Sequence, residues 1–180
     1  MKEAQSYIQK HNANIAQGVE EIRIFAHEIH PSGCRTFITA TPTSFFEKYR
    51  YMPYYDRSFY EVLNAGKPCN LFIDIEFFPE LNQGLNGEIC MKIVRLIMKN
   101  EIYILTIQRF PHLLQSVCCF DDLPDKGITI ETDSSARYKF SRHIVCRLPY
   151  GLVFSNTGHC GTFVQRISFS FRKCLLNFSD

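Results

Sequence analysis

The stretch Leu71-Phe72-Ile73-Asp74-Ile75-Glu76-Phe77-Phe78 constrains this chain more than any other. Its β-branched and aromatic residues read as one strand, apolar almost throughout, with two carboxylates in the middle. Side chains alternate across a strand, so Asp74 and Glu76 share a face, about 7 Å apart along it, while Ile73, Ile75 and Phe77 turn towards core. A strand apolar on both sides is expected inside a sheet, where ionised carboxylates are costly unless something compensates them. Two adjacent negative charges also repel each other. A divalent metal relieves both problems. A solvated or ion-paired strand face is the simpler alternative, and these eight residues alone do not choose between the two.

With 180 residues the chain can form one domain with a proper core and has room for a second small module. A hydrophobic content of 46%, with 14% aromatic, is that of a globular protein rather than a disordered one. The net charge of +2 is too small to announce a nucleic-acid binder, so any basic surface must be local. The eight cysteines include no Cys-x-x-Cys pair, and most sit in apolar segments where a reduced thiol simply packs. The start, Met1-Lys2-Glu3-Ala4-Gln5, has no apolar signal core, and no run approaches membrane-spanning length. The expectation is an intracellular, soluble protein with reduced thiols.

Read in order, Ala4 to about Gln17 is helix-permissive and ends at Gly18, a helix stop. Ile22 to Glu28 and Arg35 to Ala40 read as strands joined by the turn His30-Pro31-Ser32-Gly33. Thr41-Pro42-Thr43-Ser44 introduces a short helix, with Ser44 and Glu47 spaced as a capping box. The aromatics Phe45, Phe46, Tyr49 and Tyr51 read as packing residues. Ser58 to Leu63 is a further strand, and the turn Asn64-Ala65-Gly66-Lys67-Pro68 predicts that it pairs with the carboxylate strand as a hairpin. After a loop containing Asn82, Gly84 and Gly87, apolar residues at Ile89, Ile93, Val94, Ile97 and Ile102 give a helical period from Glu88 to about Leu105. Ile102-Tyr103-Ile104-Leu105 also suits the start of a strand. Pro111 to Gly127 gives no structural assignment beyond a surface loop at Asp121-Asp122-Leu123-Pro124-Asp125. Ile128 to Glu131 is a strand broken at Asp133-Ser134-Ser135, Tyr138 to Arg147 is a long strand, and Gly158 to Ile167 opens a final helix.

Alternation decides the long strand as well. Lys139, Ser141 and His143 share one face, and Phe140, Arg142 and Ile144 the other. An ammonium, a hydroxyl and an imidazole in a row make a donor-rich strip suited to phosphate oxygens. Opposite two metal-loaded carboxylates, such a strip would hold a nucleoside triphosphate. Alone, it reads first as an ordinary exposed strand face with one histidine.

Together these stretches resemble a known family. Phe59-Tyr60-Glu61-Val62, Leu71-Phe72-Ile73-Asp74-Ile75-Glu76-Phe77, Asp133-Ser134-Ser135 and Lys139-Phe140-Ser141-Arg142-His143 are similar, in wording and order, to the eukaryotic primase-polymerase (PrimPol) family of the archaeo-eukaryotic primase superfamily. The family's first motif is Asp-x-Glu on a strand and its second is Ser-x-His on another. The likeness runs from about Tyr7 to Gln165.

The resemblance implies that Asp74 and Glu76 bind metal, Mn²⁺ or Mg²⁺, with catalytic consequence. It implies that Ser141 and His143 hold the incoming nucleotide's phosphates, with Lys139 and Arg35 as further nucleotide contacts. Lys10 and Asn12, on the first helix, fall where the family touches template DNA. The implied partners are single-stranded or primed DNA and deoxynucleoside or ribonucleoside triphosphates, with no membrane. The implied setting is DNA replication and damage tolerance, by repriming or translesion synthesis, in the nucleus or mitochondrion.

The expected architecture is α+β: a mixed, mostly antiparallel sheet carrying both motifs with flanking helices, a partial RRM-like primase catalytic core over 1–165 and a divergent tail over 166–180. The family's third motif, a further metal-binding carboxylate, and its zinc-binding module have no counterpart before the chain stops, and Asp180 is a poor substitute ligand. The expectation is a truncated product, with no zinc site and with weak or absent activity. Two alternatives stay open: a non-catalytic nucleotide- or DNA-binding remnant of the same family, and a metal-dependent nuclease, which the absence of a Glu-x-Lys partner after Asp74 disfavours.

Overall fold

The computed structural model describes residues 1–13, 19–30 and 33–177. The expected helix stop at Gly18, the Pro31 and Ser32 positions of the first turn and the terminal Asp180 lie outside the described residues. The chain divides into two compact units, Met1–Asn64 and Ala65–Asp180. Both are built of helices and antiparallel strands, so the α+β expectation holds. The strands are shared between two three-stranded sheets.

In the first unit, helix α1 (Lys2–Asn12) is followed by strands β1 (Arg23–His30) and β2 (Cys34–Ala40), helix α2 (Pro42–Tyr49) and strand β3 (Phe59–Val62). The sheet order is β2-β1-β3. Strand β1 takes the centre because Ile24, Phe25 and Ala26 are all buried, so both of its faces need cover. Helix α1 packs against β1 and β2 and buries Ile8. Helix α2 contributes Phe45, whose ring stacks on Phe25 at 3.8 Å. The expected packing role of the aromatic run holds for Phe45, whereas Phe46 and Tyr51 are exposed.

Helix α1 runs to Asn12, and the expected continuation over 14–17 lies outside the described residues. Two local expectations are corrected here. The cap of α2 is Thr41, whose side chain accepts from the Ser44 N–H, because Pro42 occupies the first helical position and so places the cap one residue earlier. Strand β3 pairs with β1, Ile24 opposite Val62 and Ala26 opposite Tyr60, and forms no hairpin with the carboxylate strand. Residues 63–70 separate the two strands, longer than the two to five residues that close a hairpin, and β1 offers β3 a free edge within its own unit.

The second unit comprises strand β4 (Leu71–Phe77), helix α3 (Gly87–Arg109), strands β5 (Ile128–Asp133) and β6 (Phe140–Arg147), and helix α4 (Thr157–Asn177). Its sheet order is β4-β6-β5. Among the described residues β4 has β6 as its one ladder partner, so it is an edge strand rather than the interior strand that its apolar run suggested. The reason lies in its faces. Leu71 and Ile73 are buried, but Phe72, Asp74 and Glu76 on the opposite face are exposed. The carboxylates therefore keep their hydration.

Leu71, Ile73, Ile144 and Cys146 form one core with Met91, Val94, Met98 and Ile102 of α3 and with Cys160, Phe163 and Ile167 of α4. One face of the sheet thus carries the helices and the other is left open. Asn86 caps α3 by accepting from the Ile89 N–H. The helical period continues through Ile102 and Thr106, both buried, so the segment that suited a strand start at Ile102–Leu105 is helix. Residues 110–127 form short 3-10 turns around a small cluster of Ile107, Val117 and Leu123. Gly127, at φ +67°, leads into β5 where a Cβ would lie 2.0 Å from the Arg147 carbonyl oxygen, so only glycine fits. The eight cysteines are free thiols, with Cys69, Cys90, Cys146 and Cys160 buried as packing residues and Cys34, Cys118 and Cys119 exposed. No helix among the described residues is long and apolar enough to cross a membrane.

Helices α3 and α4 are joined by a polar contact inside this core. Glu101, 8% exposed, accepts from Arg166 at 2.8 Å and from the Ser170 hydroxyl at 3.5 Å. Arg166→Ala should destabilise the protein by about 1–2 kcal/mol, because it strands a carboxylate with little access to water. For a chain of this size that lowers the thermal midpoint by about 3–6 °C, read by circular dichroism. An unchanged midpoint would show that solvent already serves Glu101.

Candidate functional site

The open face of the second sheet is organised by the register of β4 against β6. Asp74 stands directly opposite His143, and Glu76 directly opposite Ser141. Antiparallel partners point to the same side of a sheet, so the two acids and the donor strip necessarily meet there. The contacts are direct. His143 Nε2 lies 3.3 Å from Asp74 Oδ1. Lys139 Nζ donates to Glu76 Oε1 at 2.5 Å, and the Ser141 hydroxyl donates to the same oxygen at 3.2 Å. Lys139 reaches Glu76 from just outside β6, where it bridges to Ala136 across the turn that enters the strand.

These contacts set the electrostatics. The Lys139 hydrogen bond holds the Glu76 carboxyl below its ordinary value, with Ser141 and the His143 charge acting in the same direction and partial desolvation opposing them. Lys139 is raised in turn, chiefly by its hydrogen bond to Glu76. Asp74, Glu76 and His143 each offer a ligand atom, and these atoms lie within 4.8 Å of one another. Two carboxylate oxygens and an imidazole nitrogen so placed suit a divalent cation that accepts oxygen and nitrogen donors.

The opposite face of β6 carries a feature that sequence reading missed. Arg142 sits against Phe140, 4.8 Å from the ring centroid. It pairs with Glu88 at the start of α3, and with Glu131 and Asp133 of β5. Glu131 also accepts two-pronged hydrogen bonds from Arg95 of α3 at 2.8–2.9 Å. This network ties β5, β6 and α3 together directly behind Ser141 and His143. Its members are scattered from residue 88 to residue 142, and no local spacing announced it.

The remaining predicted residues are placed as follows. Arg35 belongs to the first unit, on β2, with its guanidinium 5.4 Å from the Tyr60 ring centroid. Asn12 has a structural task, since its amide both donates to and accepts from the Ile22 backbone. Lys10 is exposed in the last turn of α1.

Comparison with known proteins extends beyond the motifs. No protein-family model matches the chain. The chain is 29% identical over 153 residues to a chicken (Gallus gallus) protein named DNA-directed primase/polymerase protein, covering 82% of this chain and 24% of that one. Proteins of the same name from Danio rerio and Homo sapiens are 29% and 28% identical, again over 82% of this chain and over 26% and 24% of theirs. The chain therefore spans about a quarter of the length of these curated relatives. The resemblance read from the motifs is borne out over most of the chain.

Because Glu76 is held low, its ionised form adds stability above the ordinary carboxylate value of 4.5, and that contribution is lost as pH falls through the lower folded value. Lys139→Met should raise the Glu76 midpoint in a carboxyl NMR titration and remove this part of the acid-side stability loss. A midpoint that stays put would show that Lys139 does not hold Glu76 in solution.

Proposed function

We propose, from this chain's kinship with the DNA-directed primase/polymerase proteins, that it carries part of a template-dependent nucleotidyltransferase, with residues 1–165 as the partial catalytic domain and 166–180 as a divergent tail. The observation that carries this reading is the pairing of Asp74 with His143 and of Glu76 with Ser141 across two adjacent strands. A nucleotidyl-transfer site needs anionic ligands for a cation and hydrogen-bond donors for phosphate within one small area.

Asp74 and Glu76 would hold the cation, Mn²⁺ or Mg²⁺, through carboxylate oxygens, as hard donors suit these ions. When bound, such an ion neutralises charge on the transferring phosphoryl group. Lys139, the Ser141 hydroxyl and His143 Nε2 are donors that now rest on the carboxylates. In the proposed role they turn to phosphate oxygens, which take hydrogen bonds of the same charge-assisted kind. Ser141 is 1% exposed and donates to Glu76, whereas Lys139 and His143 are open to an incoming ligand. Arg35 is a further nucleotide contact in this reading. The substrates are deoxynucleoside or ribonucleoside triphosphates and single-stranded or primed DNA, and the setting is replication and damage tolerance, by repriming or translesion synthesis, in the nucleus or mitochondrion.

The test is nucleotide incorporation on a primed template with Mn²⁺, comparing the chain with its Asp74→Ala, Glu76→Ala double variant. Weak incorporation, lost in the double variant by at least about a hundredfold, is the expected result. Equal incorporation by both would dismiss the assignment. Triphosphate binding that needs His143, with no incorporation by either protein, would leave a nucleotide-binding remnant in place of the enzyme.

A further inference from the structure

The segment Asp133-Ser134-Ser135, which in sequence only breaks a strand, is tied to the donor strip by several hydrogen bonds. The β5–β6 ladder ends at the Asp133–Arg142 pair, and Ser141 would need the next residue of β5 as its partner. The chain leaves the ladder there instead. The Ser134 N–H donates to the Ser141 carbonyl at 3.0 Å. The Ser135 hydroxyl accepts from the Ser141 N–H at 3.0 Å and donates to the Ser141 carbonyl at 3.2 Å. Arg142 donates to that same hydroxyl oxygen at 2.8 Å. Asp133 accepts from the Ser135 N–H at 2.8 Å and closes the turn on itself. The backbone of Ser134 is therefore held from both sides, and its hydroxyl comes to rest 3.4 Å from His143 Nδ1.

The two nitrogens of His143 face partners that agree on one arrangement. Nε2 lies 3.3 Å from an oxygen of Asp74. A lone pair on Nε2 would face this carboxylate oxygen and be repelled by it, so a neutral ring carries its proton on Nε2. Nδ1 is then an acceptor in need of a donor, and among the described residues the Ser134 hydroxyl is the group hydrogen-bonded to it. We propose that Ser134 is a positioning residue for His143, holding the ring in the Nε2–H tautomer and in the orientation that aims this N–H across the open face. Which nitrogen of a histidine carries the proton is set by the hydrogen bond made at the other. Phosphate oxygens, like the carboxylate, only accept. The tautomer that satisfies Asp74 is thus the one a phosphate needs, and the ring requires no proton rearrangement when the ligand arrives.

This inference rests on the reading of His143 as a phosphate donor, and its test separates the two. Histidine ¹⁵N resonances of the whole chain, recorded at pH 8, report the tautomer without any ligand, with His143→Ala identifying the signals. Calorimetric binding of dATP in the presence of Mg²⁺ reports function. The expected result is Nε2–H in the wild type and a tautomer mixture in Ser134→Ala. Binding should weaken about fivefold in Ser134→Ala, the worth of one such hydrogen bond, and recover to within about twofold in Ser134→Thr. In a His143→Ala background, Ser134→Ala should change nothing, since its effect passes through the ring. An Nδ1–H tautomer in the wild type, or an unchanged His143 spectrum in Ser134→Ala, would overturn the inference. Failure of the wild type to bind dATP at all would overturn the proposed function, with the resonance data still deciding the role of Ser134.

Discussion

The register between β4 and β6 is the constraint on which the rest of the second unit depends. A shift of one residue would turn Asp74 and Glu76 towards α3 and α4 and bring Ile73 and Ile75 to the open face. Both outcomes are costly, because the arginines on the helix-facing side, Arg95 and Arg142, already serve Glu88, Glu131 and Asp133, and two isoleucines on the exposed face would lose their burial. The burial of Leu71, Ile73, Ile144 and Cys146 against the helices therefore does more than stabilise a core. It selects the alignment in which each acid faces a donor.

A second lock lies behind the first. Arg142, between Ser141 and His143 in sequence, points to the opposite side and is gripped by Glu88, Glu131 and Asp133. Ion pairs of this kind add little net stability on a protein surface, since desolvation offsets much of the attraction. Their value here is geometric. A planar guanidinium with partners on both β5 and α3 tolerates few positions, so the strand that carries it cannot slide or roll without breaking several contacts. Arg142 thus links the helix layer to the backbone from which Ser141 and His143 project. The turn at Ser134 and Ser135 joins the same assembly through the Ser135 hydroxyl, which Arg142 and Ser141 share.

This explains which parts of the site were legible in the sequence. The face shared by Asp74 and Glu76, and that shared by Lys139, Ser141 and His143, follow from the two-residue period of a strand, which holds whatever the neighbours are. The contact between the two strips followed from no local rule, and came into view only through the family resemblance. The partner of β3 was misread because the adjoining turn residues are compatible with a hairpin, while the choice of β1 depends on Ile24, Phe25 and Ala26, more than thirty residues earlier. The edge position of β4 was hidden because Phe72 is apolar yet exposed. Ser134 and Ser135 were readable as turn formers, but their hydroxyl partners are set by how the two strands meet, and a serine gives no sign of that in sequence. Asp133, by contrast, announces its Asx turn locally.

The charges on the open face bear on how a site of this kind would be filled. As it stands, Lys139 and Ser141 serve Glu76, and His143 serves Asp74, so each group has a partner. A cation arriving alone must compete with Lys139 for Glu76, and then leaves an ammonium beside a metal ion. A polyphosphate arriving alone must draw Lys139 and His143 away, and leaves two carboxylates facing further negative charge. Either step by itself trades an attraction for a repulsion. When both arrive, the carboxylates exchange their donors for the cation, and the donors exchange carboxylate for phosphate, so neither set is left without a partner. On the proposed reading each ligand raises the affinity for the other by the same factor, because coupling between binding free energies is reciprocal. On that same reading, the self-paired arrangement of the two strands disfavours lone ions and favours the metal–nucleotide complex as the species that would bind.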